Sequence, residues 1–156
     1  MAGGPDRRKK YRGYRREFRR VLNRVHQYTP RWSPSEEDPR EEWLDLYGNS
    51  NFRPRGRDKK QLLSALLDRT REIMEARPAA LPFCKVFLMV CEERLYDAEI
   101  ILIYDPERFE TFWDRGWERV PGESLLARLD LASPLEERGW RDPEDGEEFW
   151  FYGDGM

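Results

Sequence analysis

Residues 83–104, FCKVFLMVCEERLYDAEIILIY, contain two apolar runs that decide the fold. Phe83–Cys91 is apolar at every position except Lys85, and Ala98–Tyr104 contains four consecutive large aliphatic residues. Continuous apolar runs of this length are typical of strands that are buried on both faces. Because the intervening Glu92–Asp97 is short, the two runs predict an antiparallel hairpin at the centre of a sheet.

The segment before this hairpin predicts a long amphipathic helix. Apolar side chains recur at helical spacing from Leu62 to Met74, and this spacing places them on one face. Asp58 is the expected N-cap, since its carboxylate accepts hydrogen bonds from free backbone amides. Pro78 is expected to end the helix.

The segment after the hairpin predicts two short helices and two closing strands. Asp105 and Pro106 are favourable residues for a helix start, and residues 123–131 carry a second short apolar stripe. Residues 139–141 and 147–152 predict strands on either side of a preferred turn pair. The predicted fold class is α+β: an antiparallel sheet of about four strands with two longer and two short helices packed on it.

Length and composition predict one domain. A chain of 156 residues is typical of a single core, and six Trp, seven Tyr and eight Phe argue against disorder despite 38% charged residues. We divide this single α+β domain, residues 1–156, into a frayed N-terminus (1–6), a basic helix (7–28), a Pro-rich arm (29–57) and a core (58–154). The arm is expected to be irregular, with at most a short helical turn within Glu41–Leu46.

Charge is distributed unevenly along the chain. Residues 1–28 contain ten Arg or Lys and two acids, whereas residues 104–156 contain fifteen acids and six bases. The sequence leaves open whether these two regions face each other or face separate partners. The two cysteines are not spaced to bridge within one strand, and no leader or membrane-spanning run is visible. A cytoplasmic protein is therefore expected.

The residues capable of catalysis do not form a recognisable constellation. His26 is the only histidine and is interpreted as a helix-terminal donor. Cys84 and Cys91 lie in an apolar run, where cysteine usually acts as a small hydrophobe. No metal-ligand spacing or phosphate-binding glycine motif is present. We therefore predict no catalytic residue, no metal site and no cofactor; an enzyme with an unrecognised site in the arm remains an alternative.

Two surfaces are candidates for binding. The first is the acidic aromatic tail, in which carboxylates surround aromatic residues that serve as anchors in protein interfaces; its candidate residues are Asp142, Glu144, Asp145, Glu147, Glu148, Trp150 and Tyr152. Strand alternation places Trp150 and Tyr152 on one face, with Phe149 and Phe151 on the other. One pair is expected to face the core and the other to be exposed, unless both faces are covered.

The second candidate is the basic N-terminal helix. Its arginines release counterions when they contact phosphate, and the interleaved tyrosines can stack on bases. The candidate nucleic-acid contacts are Arg12, Arg15, Arg16 and Arg19. The alternative interpretation is a solvated or internally paired face.

Several stretches resemble one protein family. They are LLSALLDRTREIMEARP (62–78), CKVFLMV and AEIILIYDPERFETFWDR (84–115), ERGW (137–140), EEFWFYGD (147–154) and KYRGYRREFRRV (10–21), the last of which resembles the family's basic N-terminal helix. Together they are similar to the bacterial domain of unknown function 3916. The resemblance implies a standalone, cytoplasmic bacterial protein, and it assigns no catalytic residues.

The leading hypothesis is a non-enzymatic protein-binding module with a basic protein partner. Its specific form is an immunity or antitoxin-type protein that neutralises a bacterial toxin through the acidic aromatic surface, because such a surface complements a basic cleft. The alternative hypothesis is an RNA- or DNA-associated protein that binds through the arginine-rich helix. No membrane partner is expected.

Overall fold

The computed structural model describes residues 4–33, 40–45, 52–120 and 124–156, and only the backbone for residues 4–12 and residue 96. The fold is α+β, with an antiparallel sheet and two longer and two short helices. Within these residues the sheet has six strands rather than about four, in the order β1-β3-β2-β6-β5-β4. The strands are β1 (Glu41–Asp45), β2 (Lys85–Val90), β3 (Glu99–Ile103), β4 (Glu118–Arg119), β5 (Glu136–Arg141) and β6 (Glu148–Gly153).

The β2–β3 hairpin occupies the centre of the sheet, as its apolar runs predict. The two strands pair antiparallel with Phe87 opposite Ile101, and a 3-10 turn at Glu92–Asp97 connects them. Leu88 and Ile100 face one apolar cluster, whereas Phe87 and Ile101 face another. Both faces of the hairpin are therefore buried, which explains why the sequence has no polar alternation there.

The strand β1 corrects the interpretation of the arm. Residues 41–45 form a strand rather than a helical turn, and Trp43 lies opposite Ile101 on β3. Only Leu44 is buried, and Trp43 is 38% exposed. The sequence pattern gives no strand signal because β1 pairs only with β3 among the described strands and buries one side chain. The remainder of the arm at residues 34–39 and 46–51 lies outside the described residues.

Two long helices cover one face of the sheet. Helix α1 spans Gly4–Gln27 and helix α2 spans Gly56–Glu75. Residues 4–6, expected to be frayed, are helical, which is consistent with Pro5 in the first turn. The apolar stripes of α1 and α2 join the cluster that β2, β3 and β6 present on this face.

The expected N-cap of α2 is wrong. The helix begins at Gly56, its N-cap position is Arg55, and no side chain caps it. Asp58 lies inside the first turn, and its Oδ2 accepts a hydrogen bond of 2.8 Å from the Tyr14 hydroxyl. The same hydroxyl accepts a 3.0 Å hydrogen bond from the Arg55 amide. Asp58 therefore joins α1 to α2 instead of capping the helix.

The first short helix starts where the sequence predicts, and the second is shorter than the predicted 123–131. Helix α3 spans Pro106–Phe112, and the Asp105 carboxylate accepts a hydrogen bond from the Arg108 amide at 2.9 Å. Helix α4 spans Leu125–Arg128, with Ser124 as its N-cap. Aromatic residues from α3 and the loop after it cover the second face of the sheet, where they pack against Phe87 and Phe151. In the part of the chain that the structure describes, no helix has the length and apolar character that crossing a membrane requires.

Candidate binding sites: an acidic groove and an arginine face

The predicted acidic tail forms one wall of a groove. Because β2 pairs with β6 and places Val90 opposite Trp150, the 3-10 turn after β2 lies beside the turn between β5 and β6. The groove between the two turns has a volume of about 400 Å³. We call it the acidic groove; it is lined by Cys91, Glu92, Glu93, Arg94, Asp145, Gly146, Glu147, Glu148 and Trp150.

Several groove carboxylates form ion pairs within the protein. Glu147 accepts a 2.7 Å hydrogen bond from Arg94 across the groove, and Glu148 pairs with Arg141 at 3.0 Å. Glu92 is bound by Arg128 at 2.8 Å. These pairs are partly exposed to solvent, where each contributes little to stability. They do fix the positions of the carboxylates at the rim.

The other predicted acids of the tail lie around the turn. Asp145 is exposed, and its carboxylate accepts a 2.9 Å hydrogen bond from the Glu147 amide. Glu93, on the opposite wall of the groove, is also exposed. Asp142 accepts a similar bond of 2.9 Å from the Glu144 amide. These short-range bonds are typical of Asx turns. The groove therefore presents carboxylates from two chain segments, of which one, the acidic tail, was predicted from the sequence.

The two candidate aromatic anchors of the tail are buried. Trp150 is 5% exposed and Tyr152 is fully buried, so the binding surface is formed without an exposed ring from this pair. Trp150 forms the floor of the groove, and the Arg128 guanidinium lies 5.9 Å from the centre of its ring. The other pair is also covered: Phe151 is fully buried and Phe149 packs against Trp117.

Tyr152 has a structural role beneath the groove. Its hydroxyl donates a 2.9 Å hydrogen bond to Oε2 of Glu137, which also accepts a 3.0 Å hydrogen bond from the Leu126 amide. Burial, together with the negative charge of Glu137, raises the pKa of Tyr152 well above its usual range. Tyr152 is therefore a neutral donor that joins β6 to β5, while Glu137 joins β5 to α4.

The arginines of α1 form a second charged surface. Arg15, Arg16 and Arg19 are exposed, and the side chain of Arg12 lies outside the described residues. An open depression of about 890 Å³ runs along this side of the helix. We call this surface the arginine face; its described residues are Arg15, Arg16, Arg19, Arg20, Asn23, Arg24 and Gln27.

Of the two tyrosines expected to interleave with these arginines, Tyr14 points away from them, and the side chain of Tyr11 lies outside the described residues. Tyr14 packs against Phe18 and Phe52 and donates its hydroxyl proton to Asp58. Phe18 is 5% exposed. Base stacking by these two rings is therefore not available on the arginine face.

His26 and Cys84 lie in different environments. His26 is exposed in the last turn of α1. Burial, the largest cause, raises the pKa of the Cys84 thiol to about 11. Since the thiolate is the nucleophilic form, Cys84 is protonated and unreactive at neutral pH.

A group of three carboxylates lies where β1 ends and β3 begins, and it was not predicted. One oxygen each from Asp45, Asp97 and Glu99 lies within 4.8 Å of the others. Burial, then the charges of Asp45 and Asp97, raise the pKa of Glu99 to about 7. Oxygen ligands of this kind suit a hard divalent cation. A single Glu within the apolar run Ala98–Tyr104 was the only sequence signal for this group.

Comparison with known proteins places the chain in a family. A family model described as "Protein of unknown function (DUF3916)" matches residues 49–154, more than half of the chain. The chain belongs to this family. The DUF3916 match includes both walls of the acidic groove and begins after α1 has ended, so the arginine face lies outside it. No curated protein and no solved structure matched the chain.

Proposed function

We propose that this DUF3916 protein is a non-enzymatic binding protein that holds a basic protein partner at its acidic groove. The observation that supports the proposal is the convergence of two acidic chain segments, Glu92–Glu93 and Asp145–Glu148, on one concave surface. The groove lies entirely within the residues that match the family. A function shared by the family is expected to reside in that part of the chain.

The charges of the groove favour a cationic partner. Glu93 and Asp145 are exposed on opposite walls, and Glu148 is 43% exposed although it pairs with Arg141. Exposed rim charges mainly increase the association rate of an oppositely charged partner, and salt weakens this effect. Lys or Arg side chains of a partner could also exchange with Arg94 and Arg141 as counterions of these carboxylates. The groove therefore selects for positive charge.

The more specific form of the proposal is an immunity or antitoxin-type role. In this role the groove covers a basic surface of a bacterial toxin, such as a cleft that binds a polyanion, and blocks it by charge complementarity. A cytoplasmic location in a bacterial cell belongs to the same proposal, since a toxin of that kind acts on intracellular targets.

A matched pair of variants tests the proposal. Glu93→Gln/Glu148→Gln removes two carboxylates from the groove, whereas Glu107→Gln/Glu110→Gln removes two exposed carboxylates from α3. We avoid Asp145 because its carboxylate supports the turn. Each tagged protein captures partners from a lysate of the source cells, and the bound proteins are identified and quantified.

We expect the wild type and the α3 variant to retain one stoichiometric basic protein. The groove variant should retain about tenfold less of this protein at low salt, because its association is slower, with a smaller difference at 0.5 M salt. The immunity role further predicts that the partner is toxic when expressed alone and that the wild type, but not the groove variant, restores growth. Equal retention by all three proteins would rule out the groove as the binding site.

A further inference from the structure

The arginine face of α1 has a regular geometry that the acidic groove does not explain. Its exposed residues recur at positions 16, 19, 20, 23, 24 and 27, and this spacing places them on one side of an α-helix. Phe18, Val21 and Val25 occupy the opposite side and are buried against the core. The packing of α1 therefore fixes the arginine face outward.

The side chains of this face are suited to nucleic acid. An arginine guanidinium binds phosphate or the O6/N7 edge of guanine through two parallel hydrogen bonds. Asn23 and Gln27 belong to the same face, and Asn and Gln bind the N6/N7 edge of adenine in the same way. From residue 16 to residue 27 the helix rises about 16 Å, a length over which a DNA duplex carries about ten phosphate charges.

Two observations distinguish between forms of nucleic acid. Single strands are held by stacking on aromatic rings together with a positively charged groove, and the aromatic rings of α1 that the structure describes, Tyr14 and Phe18, pack inward against Phe52. The major groove of B-form DNA is about 12 Å wide and admits an α-helix, whereas the narrow major groove of A-form RNA does not. An outward helix face of Arg, Asn and Gln therefore matches duplex DNA.

We propose that the arginine face is a docking surface for double-stranded DNA, with the arginines on phosphates and the helix at the major groove. This proposal is independent of the acidic groove, which lies on other elements of the fold. It extends the function of the protein to two surfaces of opposite charge: one for DNA and one for a basic protein.

A second matched pair of variants tests this surface. Arg16→Gln/Arg19→Gln removes two arginines from the arginine face. The control, Arg115→Gln/Arg119→Gln, removes two exposed arginines that follow α3 in the chain. The full chain is titrated with a 20-bp DNA duplex at several salt concentrations. Thermal unfolding of each variant confirms that the fold is retained.

For the wild type we expect the logarithm of the association constant to fall linearly with the logarithm of salt concentration. Losing two phosphate contacts should make this slope less steep by about 1.8. The ratio of the wild-type to the variant association constant should therefore be about 60 times larger at 0.1 M salt than at 1 M. The control pair should bind as the wild type does. An unchanged slope in Arg16→Gln/Arg19→Gln would overturn the proposal, as would absence of DNA binding at 50 mM salt. Equal or tighter binding of duplex RNA, or of vesicles containing anionic lipid, would also overturn it.

Discussion

Gly139 should be sensitive to substitution because it packs against Trp150, which forms the floor of the acidic groove. It lies on β5 directly opposite Trp150 on β6. A Cβ at this position would lie 2.7, 2.8 and 3.0 Å from three carbon atoms of the Trp150 ring. Carbon atoms normally approach no closer than about 3.5 Å, so the substitution Gly139→Ala forces the indole to move.

The expected change in the free energy of unfolding is the sum of two opposing contributions. Trp150 is 5% exposed and packs in the main core cluster, and forcing an extra carbon into such packing costs about 1–3 kcal/mol. The alanine reduces the entropy of the unfolded chain and returns about 0.4–1 kcal/mol. We therefore expect Gly139→Ala to lower the free energy of unfolding by about 1–2 kcal/mol. For a chain of this length that corresponds to a decrease in Tm of roughly 2–8 °C.

Thermal unfolding monitored by circular dichroism measures this change, and Gly13→Ala serves as the matched control. Gly13 lies in α1, and a Cβ there meets nothing within 4 Å. Removing a glycine from a helix interior should stabilise the protein by about 0.5–1 kcal/mol. In the background Trp150→Phe, which removes the ring atoms that clash, Gly139→Ala should be much less destabilising. A stabilising Gly139→Ala, or an equal loss in both backgrounds, would refute the reasoning.

Two further predictions concern β1 and its neighbours. Glu99→Gln should stabilise the protein by about 1 kcal/mol at pH 8 and have little effect at pH 5. The pKa of Glu99 in the folded protein is about 7, above its value in the unfolded chain. The wild type therefore loses stability as pH rises from the unfolded-state pKa through the folded-state pKa, and the glutamine variant does not. Urea unfolding of the wild type and the variant at pH 8 and pH 5 measures this change in stability. An equal change at both pH values would contradict ionisation of Glu99 as its cause. Glu41→Gln should lower the free energy of unfolding by about 2 kcal/mol. The reason is that Glu41 and Arg108 form a 2.7 Å ion pair whose side chains are only 14% and 15% exposed, so the substitution leaves the Arg108 charge without its partner. A double-mutant cycle with Arg108→Gln should show coupling of at least about 1 kcal/mol, whereas additive effects would exclude the pair as the attachment of β1 to α3.

The central hairpin and the long helices could be predicted from the sequence because their own side chains are buried. The runs Phe83–Cys91 and Ala98–Tyr104 carry that information directly, and α2 carries it in its stripe. The strand β1 could not be predicted, since four of its five residues are not buried. Its strand conformation depends on pairing with β3, which lies more than fifty residues further along the chain.

One wall of the acidic groove, the tail, could be predicted from the sequence, and the other wall could not because it depends on pairing between distant segments. Alternation correctly placed Trp150 and Tyr152 on one face, but alternation cannot show what covers each face. The cover comes from distant segments: α1 and α2 belong to the core cluster on the side of Trp150, whereas α3 and Trp117 pack on the side of Phe149 and Phe151. The second wall at Glu92–Glu93 was visible only as one of many acidic pairs, because its proximity to the tail depends on the pairing of β2 with β6.

The most direct test of the acidic groove is an NMR titration of the ¹⁵N-labelled protein with an extended peptide rich in Lys and Arg. This experiment does not require the natural partner. We predict amide shift changes concentrated at the two walls of the groove, residues 92–94 and 145–148, that are lost in Glu93→Gln/Glu148→Gln. Shifts of similar size at the exposed acids of α3, or shifts that persist in the groove variant, would show that the peptide responds to acidic surface in general and would contradict a specific site in the groove.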